Sequence, residues 1–297
     1  MRVFLTGITG FLGSSLAHHW RQRGHAVAGT SRRVAQTAGG SIRHTLGSPL
    51  DPSVLAGTDV VVHCAYDRAA GFSTNHDGTI LVYEAAVEAG VGRQIFVSSY
   101  SARSDAASEY GKLKYALERF FLERSQSIVR PGLVVGNGGL FGRNMRKILS
   151  SPILPLLDGG IDELPLIGIR DFATAMTAIL EGGRTGEFNL FDPRLVTMRT
   201  LVKTVNAVAR HRALYVPVPA AVAEAFLSLF ERVGIRLPVD RGNLRALKAN
   251  QRPIHQSDLG RLAPGYSEAM AVIREAVAAY HEAASSRAVI RPANPGP

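Results

Sequence analysis

The sequence predicts an α/β fold, a doubly wound parallel sheet joined to a smaller, mostly helical C-terminal lobe. Three observations carry this. A short apolar run, Arg2 to Thr6, passes through glycines at 7, 10 and 13 into helically spaced apolar residues from Phe11 to Arg21. Short β-branched runs then alternate with helical patterns as far as Asp192, the order that builds a parallel sheet. From Gly136 the composition shifts, as expected where a second lobe begins.

The first of these stretches is a strand, a glycine turn and a helix, the opening of a Rossmann-type dinucleotide-binding domain. Gly7 allows the tight turn, Gly10 lets backbone N–H groups approach a pyrophosphate, and Gly13 lets helix and strand pack closely. The intervening Thr9, Phe11 and Leu12 join the glycines as expected cofactor contacts. A second strand, His25 to Thr30, ends in Ser31-Arg32-Arg33, about 20 residues beyond the turn, where such folds read the adenosine ribose. A carboxylate there binds the two ribose hydroxyls of NAD, whereas guanidiniums suit a 2′-phosphate. No acidic residue precedes Asp51, so NADP is the favoured cofactor, with NAD the alternative.

A third strand is expected near Ile42 to Leu46, followed by a turn region, Gly47 to Pro52. Asp59 to Ala65 reads as a central buried strand, within which His63 and Cys64 are expected to be packed rather than reactive. Helix Thr79 to Ala89 and strand Arg93 to Ser99 follow. Ser98 and Ser99 fall at the strand's C-terminal end, the edge where open α/β sheets bind ligands. The next helix, from Ser108 or Glu109 to Glu123, carries Tyr110 and Lys114 four residues apart on one face, with Lys112 pointing away. A phenol titrates near ~10 in water. A neighbouring ammonium and an oxidised nicotinamide are expected to lower that value towards the working pH.

The domains expected are 1–135 with 169–195 for dinucleotide binding, 136–168 with 196–284 for substrate, and 285–297 as a disordered tail. Gly138 to Lys147 combines glycines, aromatic surface and positive charge, which suits an anionic substrate tail or a structural loop and helix. Helices are expected at Ile169–Glu181 and Thr197–Arg210, the latter with Thr197 as N-cap, and Glu187–Phe191 reads as a strand. Val216-Pro-Val-Pro219 reads as a break before an Ala-rich helix, Ala220 to Val233, that contains Phe226, Leu229 and Phe230. Tyr266 to Ala284 supplies the last helix.

Composition narrows the classes. With 297 residues, 46% hydrophobic and 20% charged, the chain can bury a sizeable core. No apolar stretch is long enough to span a membrane, and no secretory leader pattern opens the sequence. The single cysteine, Cys64, forms no internal disulfide, which fits a cytoplasmic location. No histidine pattern suggests a metal site. The net charge of +10 is spread along the chain, and only five of the 34 basic residues are lysine. An anionic small molecule is therefore favoured over nucleic acid, and a homodimer is compatible with the sequence.

Several of these motifs, taken in order, resemble those of the extended short-chain dehydrogenases/reductases, in the NAD-dependent epimerase/dehydratase group. The resemblance runs from Met1 to about Asp192. It includes Gly7/Gly10/Gly13, His63-Cys-Ala65, Asn75-His-Asp-Gly-Thr79, Val97-Ser-Ser99, Tyr110 to Lys114, and Arg130-Pro-Gly-Leu-Val-Val-Gly136. It implies that Tyr110 is the acid/base, that Lys114 binds the nicotinamide ribose and tunes Tyr110, and that Ser99 hydrogen-bonds the substrate oxygen, with Ser98 and Ser101 as alternatives. It also implies cofactor contacts from Cys64, Ala65, Asn75, Pro131 and Gly132.

Some features depart from the family pattern. Gly47-Ser48-Pro49 stands where members place an acidic residue for adenine. Only ten residues separate Ser99 from Tyr110. The stretch Ile161 to Ile169 is apolar and acidic where a substrate-phosphate arginine would be expected, and Arg170, beside Asp171, is not at that place. The implied activity is hydride transfer between a nicotinamide and a hydroxyl or carbonyl carbon, on a sugar-nucleotide-like or other small substrate. A reductase of a non-sugar carbonyl and a non-catalytic NAD(P)-binding scaffold or sensor are the alternatives.

Overall fold

The computed structural model describes residues 1–33, 40–225 and 255–289. Seven strands form an all-parallel sheet: β1 (Arg2–Thr6), β2 (Ala26–Ser31), β3 (Ser41–Arg43), β4 (Val60–His63), β5 (Gln94–Val97), β6 (Ser127–Pro131) and β11 (Glu187–Leu190). Their order is β11-β6-β5-β4-β1-β2-β3. The order reverses between β1 and β4, which opens a crevice at the C-terminal edge.

Both faces of the sheet are covered, so its strands are apolar at successive positions rather than alternate ones. Val3, Leu5, Val60, Val62, Ile95 and Val97 point to the side holding α1 (Phe11–Gln22) and α5 (Ile169–Glu181). On that side the buried Trp20 indole donates to Thr177 Oγ1 at 2.9 Å, satisfying its one polar atom. Phe4 and Val61 meet α2 (Phe72–Glu88), and Phe96 meets Leu113, Leu117 and Phe121 of α3 (Glu109–Leu122). Helix α2 starts earlier than the apolar spacing indicates, since its first turns carry polar residues.

The second lobe has a core of its own, in which Phe141 and Met145 of α4 (Gly139–Ser150) meet Leu201, Val202 and Val205 of α6 (Met198–Val208). Thr197 caps α6, its side chain accepting from Thr200 N at 3.1 Å. Three strand pairs accompany these helices: β7 (Leu133–Val135) with β10 (Leu166–Gly168), β9 (Glu163–Leu164) with β12 (Val196–Thr197), and β8 (Ile153–Leu157) with β13 (Leu214–Val218). The last pair includes Pro217, so the stretch read as a break is a strand. Two-stranded sheets have only edges, and an edge tolerates a residue without an N–H.

Two further helices close the described chain, α7 (Leu259–Leu262) and α8 (Ala269–Val289). Leu259, Leu262 and Ala263 pack into the first lobe's core, although the sequence assigns them to the second. Asp258 fixes this return, its N donating to Asn189 O at 2.8 Å while its carboxylate accepts from Asn189 N at 2.9 Å. Helix α8 continues through residues 285–289, where the sequence suggested a disordered tail. Most of the Ala220–Val233 helix, from 226 on, and residues 290–297 lie outside the described residues.

Candidate active site

The crevice at the β1/β4 crossing is built from backbone first. Gly7 has φ +70, and a Cβ on Gly13 would stand 2.3 Å from Gly7 O, so no side chain fits where the helix crosses the turn. Helix α1 has Gly10 as its N-cap and no side chain capping it, which leaves its first N–H groups for an anion. Thr6 Oγ1 accepts from both Cys64 N and Ala65 N at 3.0 Å, drawing the end of β4 against the turn.

The walls of this cleft are formed by Gly7, Thr9, Gly10, Ser31, Arg32, Cys64 and Ala65, all expected, together with Thr30, His44, Leu46, Tyr66 and Asp67, which the sequence reading missed. Thr9 Oγ1 and Ser31 Oγ are 2.7 Å apart and tie the turn to the end of β2. Arg32 reaches the cleft and pairs with Asp67 Oδ1 at 3.0 Å. Arg33 is exposed and outside the cleft walls; its backbone N donates to Ser31 Oγ at 3.3 Å. The open N–H groups at the start of α1 suit a pyrophosphate, and the hydroxyl and guanidinium donors of Ser31 and Arg32 suit a ribose, so the residues present fit a dinucleotide.

Asn75 has a different place from the one expected. It is buried, and its amide donates to Asp67 O and Gly71 O while accepting from Asp67 N at 2.8 Å. All of these partners are backbone groups, so Asn75 shapes the loop after β4 rather than facing the cleft. Pro131 and Gly132 likewise serve as chain connections: Pro131 O accepts from Tyr100 N, and Gly132 N donates to Leu190 O, each at 3.0 Å.

At the far end of the cleft stand Ser99, Tyr110 and Lys114. The cap of α3 sets their phase, with Ser108 Oγ accepting from Gly111 N at 3.1 Å. The Ser99 side chain stands by the Tyr110 phenol and favours its ionised form. Lys114 is buried, its Nζ donating to Val97 O at 2.8 Å and lying 4.5 Å from the Phe96 ring and 5.8 Å from the Tyr110 ring. Tyr66 stacks edge-to-face on Tyr110, centroids 5.0 Å apart. Its position just past the C-terminal end of β4 was the available signal for it.

The choice between the two serines is made by a residue the sequence reading passed over. Glu118, one turn beyond Lys114, accepts from Ser98 Oγ at 2.6 Å and from Arg130 Nε and Nη2 at 2.8 and 2.7 Å. Ser98 is thereby committed to the interior, and Ser99 is the one that meets the phenol. The backbone N of Ser101 donates to Ser99 Oγ at 3.2 Å, fixing that hydroxyl further.

Protonation states follow from burial. The Tyr110 phenol is pushed up to about 12 by burial, against the lowering effect of the nearby Ser99. The chain's own groups thus hold it protonated, opposite in sign to the lowering expected from the sequence. Lys114 is pushed down to about 8 by burial. The Cys64 thiol is pushed up to about 12, also by burial, and His63 down to about 4, its ring 2.8 Å from Gln94 Oε1. A protonated thiol and a neutral, hydrogen-bonded imidazole are packing groups, as expected for that strand. No cluster of metal-ligating side chains occurs among the described residues, and no helix there is long and apolar enough to cross a membrane.

A glycine-turn Rossmann crevice facing a Ser–Tyr–Lys set defines a dinucleotide-binding protein of the short-chain dehydrogenase/reductase type. The chain belongs to the NAD dependent epimerase/dehydratase family, an enzyme family whose profile matches residues 3–190. An uncharacterized protein of Mycobacterium tuberculosis is 36% identical over 103 residues, a match covering 33% of this chain and 12% of that much longer protein.

Solved structures share the fold at lower identity. MoeE5 in complex with UDP-glucuronic acid and NAD superposes with a TM-score of 0.71 at 19% identity, covering 97% of this chain and 100% of that one. UDP-glucose 4-epimerase from Thermotoga maritima, with UDP-glucose, gives 0.72 at 16%, covering 96% and 100%. The human epimerase family protein SDR39U1 with NADPH gives 0.65 at 21%, covering 93% and 99%.

Proposed function

We propose that this protein is an oxidoreductase that binds NADP in preference to NAD and moves hydride to or from a hydroxyl or carbonyl carbon of a small substrate. The observation that carries the reading is the placing of the buried Lys114 ammonium, anchored on Val97 O, 5.8 Å from the Tyr110 ring, with Ser99 beside the phenol. The bound dinucleotide supplies or accepts the hydride. Ser99 orients the substrate oxygen, Tyr110 exchanges a proton with it, and Lys114, anchored on Val97 O, holds positive charge beside the site.

Support for NADP comes from Arg32 just past the end of β2, a strand whose own end carries no carboxylate; the carboxylate nearby, Asp67, is paired with Arg32. The Arg32–Asp67 pair is exposed on the arginine side, 64%, so a 2′-phosphate can take over the guanidinium at little cost. Sugar-nucleotide substrates are supported by two structural neighbours, MoeE5 and the Thermotoga maritima epimerase, which are complexed with UDP sugars.

Tyr110→Phe tests the mechanism. Turnover of NADPH with carbonyl and sugar-nucleotide substrates should fall by about 10²–10⁴-fold, while NADPH binding followed by fluorescence persists. Unchanged turnover would remove Tyr110 from the chemistry. Tight NADPH binding without turnover, indifferent to Lys114→Ala, would identify a scaffold.

A further inference from the structure

One residue of the loop after β4 belongs to two places at once. Tyr66 lines the dinucleotide cleft beside Cys64 and Ala65, and its ring also stands edge-to-face on Tyr110, centroids 5.0 Å apart with 72° between the planes. Lys114 Nζ lies 6.0 Å from the Tyr66 centroid and 5.8 Å from that of Tyr110, so the ammonium is at nearly equal reach of both rings. Tyr66 is 37% exposed. Its ring is thus the boundary between the space a ligand enters and the phenol.

The backbone fixes this ring before any ligand arrives. Thr6 Oγ1 accepts from Cys64 N and Ala65 N, each at 3.0 Å, and Asn75 Oδ1 accepts from Asp67 N at 2.8 Å. The chain is therefore tied on both sides of Tyr66, and the buried Asn75, which does not face the cleft, acts on the site by holding this loop. Arg68 and Asp67 from the same loop and Glu109 from the start of α3 act on the Tyr66 hydroxyl through their charges. Among the described residues that hydroxyl makes no hydrogen bond. The contact with Tyr110 belongs to the ring, whose edge-to-face attraction does not need the oxygen.

A proton donor works when the packing of its neighbours holds it in the productive place. Tyr110 is set from behind by α3 and flanked by Ser99 and Lys114. Tyr66 covers the remaining side, where an aromatic ring also displaces water. We infer that Tyr66 is a positioning residue for Tyr110, its ring closing the cleft side of the proton donor so that the phenol is held in place and water is kept off it. This rests on the oxidoreductase reading above. The dominant influence of burial on the Tyr110 phenol agrees with such a cover.

The test titrates the full chain with alkali in the absence of ligand, reading the Tyr110 phenol as the ultraviolet difference between each chain and its Tyr110→Phe counterpart. Tyr66→Ala should raise the ionisation constant of Tyr110 at least tenfold, since water then reaches the phenol. Tyr66→Phe, which keeps the ring, should stay within about threefold of the unaltered chain. In turnover with NADPH at saturating substrate, Tyr66→Ala should lower kcat about tenfold and Tyr66→Phe should restore it. The partial exposure of Tyr66 lets alanine stand there without opening the core.

An ionisation constant unmoved in Tyr66→Ala, or one altered as much in Tyr66→Phe as in Tyr66→Ala, would overturn the proposal. So would an unchanged kcat in Tyr66→Ala. The two readings fail separately, because the titration needs no turnover. A Tyr110 titration that depends on the Tyr66 ring in a protein without hydride-transfer activity would sink the oxidoreductase reading and leave the hold of Tyr66 on Tyr110 standing.

Discussion

Replacing Glu118 by leucine should destabilise the protein strongly, and the structure gives the size. Glu118 is 1% exposed and Arg130 7%, and their two parallel bonds are joined by the Ser98 hydroxyl on the same carboxylate. Removing one member of such a pair strands a buried charge, at about 3–5 kcal/mol. Arg130 keeps Glu187, 2.6 Å away but 49% exposed, so the lower end of that range, about 3 kcal/mol, is expected. The melting temperature should fall by roughly 6–12 °C.

Glu118→Leu combined with Arg130→Met removes both charges and should cost less than Glu118→Leu alone, because no ion is then left without a partner. Urea unfolding followed by circular dichroism measures each corner of the cycle. A single-variant cost below about 1 kcal/mol, or strict additivity in the double variant, would refute the reasoning. The same network predicts how the serines divide: Ser99→Ala should abolish turnover, whereas Ser98→Ala should chiefly lower stability.

Three further outcomes follow from the same geometry. Arg32→Ala should weaken NADPH binding about tenfold while leaving NADH nearly untouched, as read by fluorescence titration; equal losses for both would deny Arg32 the 2′-phosphate. In the carbonyl-reducing direction, kcat/KM should decline as pH rises through about 8, where Lys114 loses its charge, while Tyr110 stays protonated. Because the Lys114 value is depressed in the fold, the unfolded chain holds the proton between about 8 and 10.5, and this group makes stability rise with pH across that window. A flat pH–rate profile to pH 10 would contradict the assignment, and Lys114→Arg should remove the decline. Finally, Gly13→Ala places a methyl 2.3 Å from Gly7 O, and the turn must shift. A cost of about 1–3 kcal/mol is expected, with dinucleotide affinity reduced at least tenfold by calorimetry.

What the sequence determined by itself is what local chemistry dictates. Gly7, Gly10 and Gly13 lie within two turns of one another, and their backbone requirements are written in residue type and spacing. Tyr110 and Lys114 share a face because a helix repeats every 3.6 residues. The buried strands were legible for the same reason, as short β-branched runs. Only the tertiary structure decided which groups meet across elements. Glu118 and Arg130 are brought together by α3 packing on β6, and that meeting turns Ser98 inward and leaves Ser99 for Tyr110. Asn75 is taken up by a loop whose path no spacing rule fixes. The sign of the Tyr110 shift was likewise invisible in the residue list, since burial outweighs the influence of Ser99 only once the helix has docked on the sheet.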